Sequence, residues 1–367
     1  MSGDAGRAEI EAELLAWMAE PEDAPDDERF DRLARALFAF QFEHCAAYGR
    51  FCRGRGVTPS SLRAWHEIPT VPTGAFKELV LTSFPPERTV KVFRTSGTST
   101  RSRGALHLDT LALYEASLLP SFRRHLLPDL PRGARARLVV MTPSPQEVPD
   151  SSLSHMFGVA LRELGDAGSR FTVRGDALDV PATLAALDHE GPVLLCGTAF
   201  AFVHLLDALA AEGRTLALSP RTRLMETGGF KGRARERSRE TLHAEIEERL
   251  GVPPERVVNQ YGMTELASQF HDSVLSRPGA PRHKVGPPWA RVRRVHPQSG
   301  EAVAGDEIGV IQVFDLANTG SVLAVQTADL GRAVGPGFEV LGREPGAEER
   351  GCSIAADELL GTGGVGR

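Results

Sequence analysis

The chain has 367 residues, 41% hydrophobic and 25% charged. This is the profile of an ordinary globular protein long enough for a large core, and it excludes wholesale disorder. A formal net charge of −6, from 42 Lys and Arg against 48 Asp and Glu, gives no electrostatic drive toward a polyanion and argues against a dedicated nucleic-acid binder.

Residues 1–20 carry a weak helical period, and the stretch PEDAPDD at 21–27 is a turn-rich break that supplies an acidic N-cap for the next element. Leu33, Leu37, Phe40, His44, Tyr48 and Phe51 then recur at three- and four-residue steps, which predicts one helix from Asp31 to about Cys52. From about Val90 short β-branched or aliphatic runs alternate with helical periods. KVFRT precedes a helix over 111–126, RARLVVMT precedes SSLSHMFGVALREL, and VLLCG precedes TAFAFVHLLDALAA. This alternation predicts an α/β layering, with a sheet covered by helices. After Gly286, RVRRVHPQSGEAV, EIGVIQVFDL and SVLAVQTADL read as two or three antiparallel strands with glycine turns, ending at GPGFEVLGRE. The expected organisation is an N-terminal helical region over 1–90, an α/β core over 91–285, a β-rich region over 286–343 and a short tail over 344–367.

Several classes of site are disfavoured. The four cysteines (Cys45, Cys52, Cys196, Cys352) lie too far apart for CxxC pairs, and no Cys/His cluster has zinc spacing. The start MSGDAGRAEIEAE is acidic without an apolar signal core, and the most apolar stretch, 192–211, contains His204, Asp207 and a Gly197-Thr198 break. A cytoplasmic protein without a membrane span is therefore expected.

Four segments carry chemistry. TSGTSTRSRG at 95–104 follows a strand. Its hydroxyls and backbone N–H groups around Gly97 can converge on phosphate oxygens, with Arg101 and Arg103 supplying charge. It lacks GxxxxGK[ST], and taken alone it is equally the composition of a surface turn. NQYGMTE at 259–265 follows the strand RVV. Tyr261 can offer a face to a purine, Gly262 permits close backbone approach, and Thr264 and Glu265 offer oxygens of the kind Mg²⁺ takes beside phosphate. The same segment also reads as a turn into a helix N-cap. Thr227-Gly228-Gly229 follows the strand RLME, and Thr327-Ala328-Asp329 precedes Gly342-Arg343. A carboxylate at a strand end can take both hydroxyls of a ribose, with an arginine reinforcing it, although Asp is also an ordinary turn residue.

Together and in this order, TSGTSTRSRG, NQYGMTE, TAD and GR resemble the nucleotide-binding motifs of adenylate-forming enzymes, the superfamily of acyl-CoA synthetases, nonribosomal peptide synthetase adenylation domains and luciferases. LFAFQFEHCAAYGRFC, IPTVPTGAFKEL, TPSPQEVPDSSLSHM and TGGFKG are similar to the acyl-protein synthetases of bacterial luminescence and their short relatives. The resemblance extends over nearly the whole chain. It implies an α/β fold corresponding to the large N-terminal subdomain of an adenylate-forming enzyme, with a small antiparallel β region and the C-terminal subdomain largely missing.

The resemblance also implies roles. Thr95, Ser96, Gly97, Thr98 and Ser99 would hold the phosphates of ATP, and Gly228, Gly229, Gln260 and Tyr261 would frame the adenine. Thr264 would sit near the adenylate phosphate, Glu265 with Thr98 would hold Mg²⁺, and Asp329 would bind the ribose with Arg343 assisting at the hinge. A carboxylic acid, a fatty acid in the family, would become acyl-AMP with release of pyrophosphate. Cys352, in Arg350-Gly351-Cys352-Ser353, matches the family's acyl-accepting cysteine near the C-terminus, from which an acyl reductase or carrier protein would take the acyl group. Departures accompany the match. The C-terminal catalytic lysine has no counterpart, leaving Arg101, Arg103, Lys231 or a partner to cover the developing charge. Ala328 replaces the usual glycine, and the phosphate loop lacks its usual lysine. Phe200 and His204 after VLLCG, with Phe202 and Lys231, are candidates for the acyl pocket or for plain core packing. Two other expectations stand beside this one: direct transfer of acyl-AMP to CoA or a small molecule, and an inactive nucleotide-binding scaffold.

Overall fold

The computed structural model describes residues 2–20, 24–96, 103–228 and 238–343. Contacts divide the chain into two compact units. One comprises Met1–Pro120, Gly262–Gln269 and Gly286–Arg367, and the other comprises Ser121–Tyr261 and Phe270–Val285. The expected α/β architecture is present, with helices and a mixed sheet.

The first unit begins with helices Ser2–Met18, Asp27–His44 and Ala46–Gly54. Asp26 caps the second of these by accepting from Arg29 N at 2.9 Å, and Asp27 and Glu28 occupy the first turn, where the helix dipole favours carboxylates. Its inner face buries Phe30, Leu33, Ala34, Leu37, Phe38 and Gln41. The single helix expected to reach Cys52 is interrupted at Cys45, which is extended (φ −97, ψ 93). Packing explains the break. The change of direction buries Tyr48, Phe51 and Cys52 together and lets the Tyr48 hydroxyl donate to Pro69 O at 2.8 Å. It also brings the chain back so closely that a Cβ at Gly49 would stand 2.3 Å from Phe42 O, which only glycine permits.

The same unit holds an antiparallel sheet of four strands in sequence order, Ala290–Val295, Gly309–Asp315, Ala324–Val334 and Gly337–Arg343. Val71–Pro72 adds alongside Ala324–Val334 in parallel. All seven residues of Gly309–Asp315 are buried, so this strand is covered on both faces and its sequence runs apolar rather than alternating. A separate hairpin pairs Lys91–Arg94 with Ala105–Leu108, from Lys91 opposite Leu108 to Arg94 opposite Ala105. The TSGTSTRSRG segment is thus the connection across a hairpin, a pairing the sequence pattern did not signal.

The second unit carries five parallel strands in the order Arg170–Phe171, Arg137–Met141, Val193–Thr198, Arg223–Thr227, Val257–Tyr261. Phe270–Asp272 and Lys284–Val285 continue it antiparallel. Parallel strands need crossovers, and helices Ser152–Leu164, Val180–Leu187, Ala199–Ala211 and Arg239–Leu250 supply them. Their N-caps are Ser151, Asp179, Thr198 and Ser238, each accepting from the backbone N–H three residues on. The core between sheet and helices is built from Leu195, Phe202, Leu205, Leu209, Leu224, Ile246 and Val257 among others.

Gln41 is the polar exception on the buried face of its helix. Its side-chain amide donates to Asn318 O at 2.9 Å and Thr319 O at 3.3 Å, and its Oε1 accepts from Leu323 N at 2.8 Å. It satisfies both ends of a buried turn that belongs to no strand. Replacing Gln41 with Leu leaves those backbone groups unpaired at similar volume, and urea unfolding is expected to show a loss of about 2–4 kcal/mol.

Candidate functional site

Within the first unit, two of the chemical motifs meet. Thr95 N donates to Gly104 O and Gly104 N donates to Thr95 Oγ1, both at 2.9 Å, so these two residues close the mouth of the 91–108 hairpin. A Cβ at Gly104 would lie 3.2 Å from Thr95 Cγ2 and 3.5 Å from Glu265 Oε1. The carboxylate of Glu265 therefore approaches that mouth from a buried position, 5% exposed, with Thr264 buried beside it. The segment 262–269 does not enter a helix. It is held by Asp315, whose carboxylate accepts from Ala267 N at 2.8 Å and from Ser268 N and Oγ at 2.7 Å, and by Asn318 Nδ2, which donates to Glu265 O at 3.1 Å. Burial pushes the Asp315 carboxyl up, opposed by these hydrogen bonds. Arg103 turns back on the loop, its Nε donating to Thr95 O at 2.6 Å.

Asp329 and Arg343 face each other as a cross-strand pair, with Arg343 Nε 3.7 Å from Asp329 Oδ1. The antiparallel turn between their strands brings these two residues together. Thr327 Oγ1 donates to Ile311 O at 2.9 Å and accepts from Asp329 N at 3.1 Å, fixing the backbone ahead of the carboxylate.

In the second unit, Gln260 and Tyr261 end the last parallel strand. Gln260 pairs with Thr227, whose hydroxyl donates to Gln260 O at 3.1 Å and to its side-chain Oε1, and Gly228 follows with a left-handed φ of 79° and open space at its Cβ position. Tyr261 stacks obliquely near Phe270, ring centroids 6.2 Å apart. The strand is steadied by a charged cluster the sequence analysis missed. Lys284 Nζ donates to Asn259 O at 2.7 Å, to Asn259 Oδ1 and to Asp272 Oδ1 at 2.8 Å. Asp272 Oδ2 accepts from Asn259 N at 3.0 Å and from Arg282 Nη1 at 2.6 Å, and Arg282 also reaches Val257 O. Burial pushes the Asp272 carboxyl up, and the Lys284 ammonium and the Arg282 guanidinium more than offset it, so its pKa lies below the ordinary 3.8.

Phe200 and His204 share the outer side of helix Ala199–Ala211 in edge contact at 4.4 Å, both exposed, whereas Phe202 faces the core. Gly262 begins the loop after Tyr261, and Ser96 follows Thr95 at the hairpin mouth. Gly97, Thr98, Ser99, Arg101, Gly229, Lys231 and Cys352 lie outside the described residues. Among the described residues, no group of three or more His, Cys, Asp or Glu could hold a metal ion, and no helix is long and apolar enough to cross a membrane.

The fold is that of adenylate-forming ligases. The structure matches 2-hydroxyisobutyryl-CoA ligase in the postadenylation state with 2-HIB-AMP at a TM-score of 0.62, with 17% identity over 87% of this chain and 68% of that one. The chain spans about half the length (49%) of ATP-bound MatB from Rhodopseudomonas palustris, which matches 71% of this chain at 18% identity and a TM-score of 0.49. The model of the acyl-protein synthetase (LuxE) family matches residues 9–361, and the chain belongs to that family. It is also 22% identical to the long-chain-fatty-acid–luciferin-component ligase of Aliivibrio fischeri over 96% of this chain and 95% of that protein.

Two pH windows of instability are expected. Burial holds His125 neutral, its pKa pushed down to about 4 from 6.5, and pushes that of His271, stacked 5.6 Å away, well below its ordinary value. The unfolded chain takes up these protons first, so stability is full above pH 6.5 and falls as the pH drops toward 4, by about 3 kcal/mol for His125. Asp272 adds a second window: its contribution is complete above 3.8 and is lost as the pH falls below that value. Urea midpoints between pH 8 and pH 3 measure both, and His125→Gln should flatten the upper window.

Proposed function

We propose that the chain is an ATP-dependent acyl-activating ligase that passes its acyl group through Cys352 to a partner protein. The observation that carries this reading is the buried carboxylate of Glu265 aimed at the hairpin mouth formed by Thr95 and Gly104. A fixed negative group beside hydroxyls and backbone N–H groups suits a nucleotide triphosphate arriving with its cation. Membership of the acyl-protein synthetase family supports the same chemistry.

On this reading Thr95, Ser96, Gly97, Thr98 and Ser99 hold the β- and γ-phosphates, with Arg101 and Arg103 supplying positive charge. Gly228, Gly229, Gln260, Tyr261 and Gly262 receive the adenine, and Asp329 takes the ribose hydroxyls with Arg343 opposite it. The oxygens of Glu265 and Thr98 suit Mg²⁺, which takes hard oxygen ligands and keeps waters and phosphates in its shell. When bound, the ion would neutralise charge on the phosphates.

The acid is a fatty acid. One of its carboxylate oxygens attacks the α-phosphorus, the bond from that phosphorus to the bridging oxygen breaks, and pyrophosphate leaves with the electron pair. Positioning and charge stabilisation, by Thr264 near the α-phosphate and by the cations above, supply the rate. The Cys352 thiolate then attacks the acyl carbon, the acyl–phosphate bond breaks, and AMP leaves. The three other cysteines support this assignment by their surroundings. Cys45, Cys52 and Cys196 are all buried, and burial pushes their thiols up, Cys52 to about 12, which suppresses the thiolate. An acyl reductase or a carrier protein then takes the acyl group.

Incubation with ATP, Mg²⁺ and a mixed pool of aliphatic and aryl acids, followed by denaturing intact-mass spectrometry, is expected to give a hydroxylamine-labile adduct of fatty-acyl mass that Cys352→Ser lacks. Pyrophosphate release without an adduct would move the reading to direct transfer of acyl-AMP to CoA or a small molecule. Glu265→Gln is expected to lower acid-dependent ATP–pyrophosphate exchange by roughly 100-fold with urea stability near that of wild type.

A further inference from the structure

Arg7 lies on the first helix, far in sequence from every motif above, yet it is only 6% exposed. Its guanidinium clasps Asp109 in two parallel bonds, Nη1 to Oδ2 at 2.7 Å and Nη2 to Oδ1 at 2.8 Å, the fork geometry that gives arginine its directional strength. Its Nε donates to Glu11 Oε1 at 2.7 Å, the same oxygen accepts from Thr319 Oγ1 at 2.6 Å, and Nη2 lies 3.4 Å from Thr319 Oγ1. Asp109 directly follows the strand Ala105–Leu108, so one arm of this arrangement fixes the base of the hairpin whose mouth is Thr95 and Gly104. Thr319 directly follows Asn318, whose side chain donates to Glu265 O, so the other arm fixes the turn from which Asn318 holds the Glu265 backbone. Gly320 packs onto the clasp itself: a Cβ there would stand 3.2 Å from Asp109 Oδ1 and 3.4 Å from Arg7 Nη2.

We propose that Arg7 is a positioning residue for the phosphate end of the nucleotide site, setting the hairpin mouth and the Glu265 carboxylate in register through Asp109 and Thr319. The proposal rests on the adenylating reading above. Arg7 touches no reacting atom. It acts by joining two pieces of chain that converge at Gly104 and Glu265 but reach that point by separate routes. A shift of the order of 1 Å between a phosphate loop and its metal-binding carboxylate is enough to weaken a triphosphate site severely. The adenine and ribose contacts assigned to Gly228, Gln260, Tyr261 and Asp329 make no bond to Arg7, which gives the idea a selective signature.

Equilibrium dialysis of the full chain with ATP plus Mg²⁺, and separately with AMP, reads that signature alongside ATP–pyrophosphate exchange. Arg7→Met and Asp109→Asn should each weaken MgATP binding about ten-fold or more while AMP affinity stays within about two-fold. The double variant should be no weaker than either single one, because the two side chains act as one unit. Arg7→Lys, which keeps the charge and one bond, should recover most of the affinity. Arg32→Met, on an exposed ion pair with Glu13, should match wild type. Where Arg7→Met does not fold, Arg7→Lys and Thr319→Ala carry the test, each with a smaller loss confined to MgATP. Equal loss of MgATP and AMP binding, or no loss of either, overturns the positioning role. A wild-type chain that binds neither nucleotide overturns the functional reading itself, and this proposal with it.

Discussion

The carboxylate of Asp315 sits at the end of a strand buried on both faces, and the placement of the segment that carries Glu265 depends on it. It accepts from Ala267 N, from Ser268 N and Oγ, and from Ala317 N at 3.1 Å. The segment 262–269 contributes no strand, so these bonds do for it what a ladder does for its neighbours. Glu265 is two residues from the first of them. Its place relative to Thr95 and Gly104 is therefore inherited from the sheet core rather than from a loop free to adjust. Burial works against the ionised form of Asp315 and pushes its carboxyl up, and the converging N–H and O–H dipoles oppose that rise. Removing any one of these donors would raise the cost of keeping that charge inside.

The second unit meets the same problem with cations. Phe270–Asp272 pairs with Val257–Tyr261 only at Gln260 and Tyr261, leaving Asn259 N without a ladder partner, and Asp272 accepts from it instead. Two positive side chains flank that carboxylate, and its pKa falls where that of Asp315 rises. A buried ion pair of this kind adds little net stability against an apolar replacement, but it is directional. Lys284 and Arg282 reach Asn259 O and Val257 O as well, so the strand that ends in Gln260 and Tyr261 is held along its edge by charge.

Much of this was legible in the sequence. Strands of the second unit were visible because strands covered on both faces run apolar, as in VLLCG and RLVVM, and the helices over 152–164 and 199–211 because an apolar helical period follows each of those runs. The break at Cys45 was not, since the 33–51 period continues through it and only the close approach at Gly49 demands the turn. Nor was the hairpin around TSGTSTRSRG, because ALHL carries little strand signal of its own. The supporting polar groups were missed for a common reason. Gln41, Asp272 and Asn318 act through backbone partners distant in sequence and Asp109 through the Arg7 side chain, and spacing cannot reveal such partners. VFDLANTG did carry a clue, an Asp and an Asn directly after an apolar run, where a strand end most needs donors and acceptors.

The two carboxylates assigned to the nucleotide differ in how they are held, and the difference follows the work each would do. Glu265 is nearly enclosed and its backbone is tethered, whereas Asp329 is 18% exposed opposite an Arg343 that is 54% exposed. A surface pair of that kind contributes at most about 1 kcal/mol and tolerates movement. Ribose binding needs no more than this, because the sugar does not change charge during acyl transfer. The phosphate end does, and stabilising a developing charge requires groups that are already in place before the reaction begins. On the adenylating reading, burial and tethering are concentrated where the charge would develop, from the core strand through Asp315 and Asn318 to Glu265.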